Sequence, residues 1–269
     1  MIEESELDLL LNDLLEIYGY DFTHYARASL KRRINRLWSL DKFPSFAELR
    51  YRVKSDPSYI KRFVEELTVN VTEMFRDPQF YKTLRTDVLT TLSAKPFIRI
   101  WHAGCSTGEE VFSMAILLKE TNLLHKSILY ATDLNPEVLE AARKGIFAMA
   151  PMKQYSENYI LSGGTNDFST YYTAQYGFVK FNEDLAEKMV FSTHNLVSDR
   201  SFNEFDLILC RNVLIYFDKP LQERVLTLFN DSLGTLSYLA LGSKETLKFS
   251  SIQSQFKQLD GEKIWRKVG

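Results

Sequence analysis

Cysteine is nearly absent from this chain. Its two thiols, Cys105 and Cys210, are too few for a disulfide framework in 269 residues, and no Cys/His cluster has metal-ligand spacing, so no metal is expected. Both read as small buried residues. Long apolar runs are missing too: none approaches the ~20 residues that cross a bilayer, and the acidic start lacks the basic head of a signal peptide. A cytoplasmic protein without membrane insertion is expected. Low-complexity tracts are absent, and neither sign of charge dominates. The 33 Lys and Arg against 35 Asp and Glu leave a net charge of −2, which points to neither nucleic acid nor an anionic membrane as partner. The phosphate-binding turn G-x-G-x-x-G is also lacking.

What is present suits a packed globular protein, with 45% hydrophobic and 25% charged residues. The length accommodates a small domain beside a medium one. Basic residues outnumber acidic ones between Arg27 and Arg62, whereas Met1 to Asp21 is acidic. Electrostatic docking would therefore fall to the early region.

From Glu3 to about Leu84 the pattern is helical. Leu7, Leu10, Leu11, Leu14, Leu15 and Tyr18 recur at three-to-four-residue spacing until Gly19. Ala26, Leu30, Ile34 and Leu37 share one face of a second helix, and Arg32, Arg33 and Arg36 cluster on another. Ser45 with Glu48 forms a capping signature for a third, and Pro57 opens a fourth.

After Pro96 the period changes. Phe97–Ala103, Ile128–Thr132, Met189–Thr193, Phe205–Cys210 and Leu236–Leu241 read as strands. Helical segments at Glu109–Glu120, after Pro136 and at Leu221–Leu233 alternate with them. This order predicts an α/β fold, a doubly wound and mostly parallel sheet preceded by a small all-α domain. Phe256–Leu259 and Glu262–Arg266 look like a closing hairpin. Lys153–Lys188 shows no helical period, and its alternating aromatics predict a small antiparallel β insertion. The expected domains are residues 1–84 and 85–269, with the insertion at about 153–188.

The sharpest local feature is Trp101-His102-Ala103-Gly104-Cys105-Ser106-Thr107-Gly108-Glu109-Glu110, a strand entering a small-residue turn and then a helix. Ligands of doubly wound sheets bind at such turns. Glutamates at the helix start would repel phosphate and suit a cationic or hydroxyl-bearing ligand. The same glycines also serve plain turn geometry, and the glutamates also favour the helix dipole. Asp133 ends the next strand, where an acid accepts ribose hydroxyls, although Asp133-Leu134-Asn135-Pro136 is equally a helix cap. Together, a turn without phosphate-binding design and a ribose-binding acid point to adenosine without pyrophosphate, hence S-adenosylmethionine.

Four segments, in order, resemble the CheR-type methyltransferases that methylate glutamates of chemotaxis receptors. They are Asn70-Val71-Thr72-Glu73-Met74-Phe75-Arg76-Asp77, Gly104 to Glu110, Asp133, and Cys210-Arg211-Asn212-Val213-Leu214-Ile215-Tyr216-Phe217. The helical start, the insertion and Leu241-Gly242-Ser243-Lys244-Glu245 look similar as well. The resemblance implies a class I methyltransferase fold that binds S-adenosylmethionine. It implies that Asn70, Thr72, Arg76, Glu110, Asp133, Asn195, Leu196, Arg211 and Asn212 surround the cofactor, with Arg76 and Tyr216 at the reacting centre. It further implies that the helical domain docks receptor helices, for which Arg32, Arg33 and Arg36 would supply a basic face. A monomer is expected.

Two departures stand out. Val111-Phe112 replaces the usual proline and tyrosine, and the insertion lacks the G-x-G turn of receptor-tethered members, so direct substrate recognition is expected. A cofactor sensor without turnover and a small-molecule O-methyltransferase share the same cofactor residues. Base N-methylation is disfavoured by the lack of an N-P-P-[YF] stretch after the fourth strand.

Overall fold

The computed structural model describes residues 2–68 and 72–269, which divide into two units: residues 2–68 with 214–224, and 72–213 with 225–269. Asn70 lies outside the described residues. Among the described residues no helix is long and apolar enough to cross a membrane.

The first unit holds α1 (Glu4–Tyr18), α2 (Arg27–Asp41), α3 (Phe46–Ser55) and α4 (Pro57–Leu67). Leu7, Leu10, Leu11 and Leu14 of α1 turn inward, and Gly19 ends the helix at φ 76°, a left-handed geometry for which glycine carries no side-chain penalty. Ser45 accepts the amide of Glu48 at 3.3 Å, and Asp56 caps α4 over Pro57. Arg50 and Lys54 of α3 meet Asp13 of α1, and the Arg50 bond chiefly holds the Asp13 carboxyl below its usual range. Residues 214–218 join this unit through an antiparallel bridge between Tyr25 and Phe217. Ala26 N–H donates to the carbonyl of Tyr216 at 2.8 Å, and Asp218 N–H to that of His24 at 2.9 Å.

The second unit runs α5 (Pro78–Thr83), a wide helical turn, α6 (Leu89–Leu92), β1 (Ile98–Ala103), α7 (Glu109–Glu120), β2 (Ser127–Asp133) and α8 (Pro136–Lys144). It continues with β3 (Ile146–Ala148), α9 (Met152–Leu161), β4 (Tyr172–Gln175), β5 (Phe178–Phe181), α10 (Glu183–Ala186), β6 (Met189–Thr193) and β7 (Phe205–Cys210). After α11 (Lys219–Asp231) come β8 (Leu233–Leu241), β9 (Phe256–Gln258) and β10 (Ile264–Lys267). Seven strands among the described residues form one sheet in the order β6-β2-β1-β7-β8-β10-β9. It is parallel from β6 to β8, and β10 pairs antiparallel with β8 and with β9.

Strands β1 and β7 are almost wholly buried, as a sheet covered on both faces requires. Trp101 is fully buried, donating its indole N–H to Thr132 at 2.8 Å, with Phe202, Phe205 and Phe229 packed around the ring. Both cysteines are buried and free. Phe75, Phe80, Tyr81 and Leu84, read from the sequence as the tail of the helical region, lie instead in the core of the sheet unit.

The insertion departs from expectation in two respects. Its antiparallel sheet, β3-β5-β4, is present but draws β3 from Ile146–Ala148, ahead of the expected start at residue 153, and the stretch from Lys153, expected to lack helical order, lies through Leu161 in helix α9. The inward residues of α9 are Met152, Tyr155, Asn158 and Tyr159, correctly spaced for a helix yet mostly polar-headed, so no apolar period is visible. The polar tips of Asn158 and Tyr159 are satisfied inside. Tyr159 and Tyr171 both donate to Glu120, which also meets Arg85 at 2.5 Å and is 5% exposed in its side chain. Replacing Glu120 by alanine strands the guanidinium and both hydroxyls and is expected to destabilise the sheet unit by roughly 3 kcal/mol, read as a lowered urea midpoint.

Candidate active site

The sheet order places β2 on one side of β1 and β7 on the other. The crevice at this reversal, beyond the carboxyl ends of the strands, is where doubly wound folds bind ligands. At that edge β1 leaves through Gly104 at φ 79°. A Cβ there would sit 2.6 Å from Val213 Cγ2, so the position requires glycine. The amides of Gly104 and Cys105 both donate to the carbonyl of Thr132, at 2.8 and 2.9 Å, tying the turn to the end of β2.

Asp133 follows. Its carboxylate accepts the amides of Ser106 at 2.9 Å and Asn135 at 3.0 Å. Burial nevertheless outweighs these dipoles and raises its pKa. Asn195 and Leu196 leave β6, whose last residue, Thr193, pairs with Asp133. The Asn195 side chain accepts the amide of Val197 at 2.9 Å, Asp199 accepts the amide of Asn195 at 2.8 Å, and Leu196 is buried.

The other wall is ionic. Arg211, directly after β7, has a side chain only 3% exposed. Its guanidinium donates to Asp77 at 2.6 Å, to the carbonyl of Arg76 at 3.0 Å and to Glu110 at 3.3 Å, and lies 4.0 Å from the Phe80 ring centroid. Glu110 also meets Nδ1 of His102 at 2.9 Å. Burial pushes Glu110 up, but His102 and Arg211 together outweigh it and hold its carboxyl below the ordinary value. Its neighbour Glu109 has no such cation, and burial raises it. Asn212, at φ 63°, donates its amide to Glu245 at 3.0 Å, and Glu245 also binds the amide of Gly242.

Three contacts hold the segment that carries Arg76. Asn158 donates to the carbonyl of Met74 at 3.1 Å, the amide of Phe75 donates to Ser113 at 3.0 Å, and Arg211 takes the carbonyl of Arg76. Phe75 and Asp77 both adopt left-handed backbone, φ 50° and 58°, a strain that persists only where the surroundings over-determine it. Thr72 and Arg76 are half-buried.

The structure therefore brings Arg76, Glu110 and Arg211 into one network and sets Asp133, Asn195, Leu196 and Asn212 along the same strand edge. His102, Asp77, Ser113, Asn158 and Glu245 were not singled out by sequence reasoning. For His102 within β1 and Ser113 within α7 the available signal was a polar residue inside an apolar run, and Asp77 and Glu245 lie within the family-like segments, whereas Asn158 sits among polar neighbours and gave none.

Tyr216 and the early arginines belong to the other unit. Tyr216 is half-buried, with the Arg33 guanidinium 4.9 Å from its ring centroid. This corrects the expected three-arginine docking face. Arg33 is 9% exposed and donates to the carbonyl of Leu67 at 2.6 Å, satisfying the carboxyl end of α4, because residue 33 falls on the side of α2 that buries Leu30, Ile34 and Leu37. Arg32 and Arg36 are exposed, and Arg36 pairs with Glu66 at 3.1 Å.

Buried polar atoms without a partner among the described residues include Ser106 Oγ, Asn135 Nδ2 and Arg211 Nε, all at this edge. Such orphans call for a ligand or water. With an acid at the end of β2 and no phosphate cradle, they fit S-adenosylmethionine, and the fold and site together define a class I S-adenosylmethionine-dependent methyltransferase. Comparison with known proteins narrows the class. The CheR methyltransferase SAM-binding domain matches residues 70–264, and the CheR methyltransferase all-alpha domain matches residues 5–68. The chain belongs to the CheR methyltransferase family.

Among its relatives, a Pseudomonas putida protein that carries the name Cher3 is 46% identical, over 98% of this chain and 97% of its own. Chemotaxis protein methyltransferases of Listeria innocua and Salmonella typhimurium are each 31% identical, covering 85% and 88% of this chain and 85% and 79% of their own.

The raised pKa of Asp133 carries a pH prediction. Only the ionised carboxylate accepts two hydroxyls, and a raised pKa means that this form is lost at a higher pH than for an ordinary aspartate. Affinity for S-adenosylmethionine is therefore expected to fall as pH drops, beginning above the usual aspartate range. In a calorimetric pH series the Asp133→Asn variant should bind weakly and lack this acid limb.

Proposed function

We propose that this methyltransferase esterifies glutamate side chains on cytoplasmic helices of a chemoreceptor or a related signalling protein, producing glutamyl methyl esters. When bound, S-adenosylmethionine supplies an electrophilic methyl group on a sulfonium. A glutamate with a reference pKa of about 4.3 is already ionised at neutral pH, so no general base is needed. The residues' task is then alignment and exclusion of water, and positioning alone supplies roughly 7 to 11 kcal/mol of a barrier.

The observation that carries this reading is the three-point anchoring of Met74–Asp77, which spends buried hydrogen bonds on holding the backbone of one arginine. In our reading the guanidinium of Arg76 aims the substrate carboxylate or the cofactor's own carboxylate, and the hydroxyl of Tyr216 serves the same locus. Thr72, Glu110, Asp133, Asn195, Leu196, Arg211 and Asn212 would border the cofactor. The carboxylate should be held by few donors, because a strong ion pair to the ground state slows transfer.

For docking, the proposal now rests on Arg32 and Arg36. Acidic receptor helices are the natural complement of an exposed basic face. Recognition would be direct, since the β4–β5 hairpin turns through Tyr176-Gly177 and lacks a G-x-G segment.

Two outcomes are expected. Arg76→Ala should lower kcat on receptor fragments at least about a hundredfold while the protein stays folded, as loss of a positioned charge near the reacting atoms does; wild-type turnover would remove that role. Charge reversal at Arg32 and Arg36 should lower kcat/KM severalfold at low salt, with the difference shrinking at high salt as screening shortens the Debye length to ~3 Å at 1 M. Mass spectrometry of a receptor fragment locates the ester: methyl on free metabolites instead would identify a small-molecule enzyme.

A further inference from the structure

Within β1, His102 is the one residue whose burial costs something that an apolar residue would not. It is 0% exposed, lies between Trp101 and Ala103, and has no partner for Nε2 among the described residues. Its single side-chain hydrogen bond among the described residues is the 2.9 Å bond between Nδ1 and Glu110 Oε1. Because a carboxylate only accepts, Nδ1 carries the proton.

The value of that bond lies in the geometry of Glu110. Its other oxygen, Oε2, faces Arg211 across a longer 3.3 Å contact, while Arg211 spends its shorter bonds on Asp77 and the carbonyl of Arg76. A buried carboxylate left beside a guanidinium closes into a paired, bidentate arrangement. Such a closure would draw Arg211 off Asp77 and off the left-handed turn that sets Arg76. His102 holds the far oxygen and keeps Glu110 extended between an imidazole and a guanidinium.

We infer that His102 is a positioning residue for cofactor binding, acting through Glu110 to keep Arg211 engaged with the Arg76–Asp77 turn. The inference rests on the reading that Glu110 borders the cofactor. It extends that reading to a residue that touches neither cofactor nor substrate.

The test compares three variants by calorimetry with S-adenosylmethionine, by kcat at saturating cofactor and by thermal unfolding. In His102→Asn the amide nitrogen takes the place of Nδ1, and binding should stay within about threefold of wild type. His102→Gln places its amide nearer Nε2, and His102→Leu has no donor. Both should bind about tenfold more weakly, the usual effect of losing a hydrogen bond to a charged group. Glu110→Gln forms a separate arm, and adding His102→Leu to it should cost no further affinity.

Wild-type affinity in His102→Leu and His102→Gln, while Glu110→Gln binds weakly, would overturn the inference and leave the reading of Glu110 standing. Wild-type affinity in Glu110→Gln would overturn that reading itself. A plain packing role predicts equal losses of melting temperature in all three variants with affinity unmoved, which also overturns the inference.

Discussion

A guanidinium removed from water must be surrounded by acceptors, and the carboxyl edge of the sheet is built around meeting that need for Arg211. Its side chain is 3% exposed, so its charge is worth far more there than at a surface and costs correspondingly more if left unpaired. Asp77, Glu110 and the carbonyl of Arg76 answer it, and Phe80 covers the flat face. Because these acceptors come from the segment before α5 and from α7, and Arg211 itself follows β7, one side chain registers three parts of the chain against each other. The left-handed residues at 75, 77 and 212 are tolerable only inside such a frame.

The same frame separates the two acids proposed to border the cofactor. Glu110 lies between an imidazole and a guanidinium and is held ionised below its ordinary range. Asp133 is compensated only by backbone amides, and burial raises it. The first is an internal counter-ion whose charge is already spent. The second keeps acceptor capacity for a hydroxyl-bearing ligand. Two carboxylates near one crevice thus differ in role through their neighbours rather than their type.

Most elements were legible from the sequence because their signals are local. Apolar spacing at Leu7, Leu10, Leu11 and Leu14, the Ser45 cap, Pro57 at the start of α4, and the short β-rich runs in the second half each depend on nearby residues alone. Helix α9 escaped because its buried side is tyrosine and asparagine, whose burial becomes acceptable only when Glu120 and the carbonyl of Met74 supply partners from elsewhere. The opening of β8 escaped as well: Phe205 pairs with Leu233 but Leu207 with Tyr238, and the intervening bulge puts Leu236 at φ 65°. Arg33 shows the limit in reverse. On the helical wheel it sits beside Arg32 and Arg36, yet the carbonyl of Leu67 and the ring of Tyr216 take it inside.

By itself, then, the sequence determined the order of helices and strands, the turn at Gly104–Gly108 and the acid at Asp133, since period, capping and turn chemistry act within a few residues. It also carried the family's four separated segments. Only the tertiary structure decided which charged groups meet: that Glu110 is shared between His102 and Arg211, that Glu245 holds Asn212, and that Arg33 is buried. Pairing of buried charges is a property of distance in space, with partners here as far apart as residues 77 and 211, and no local pattern encodes it.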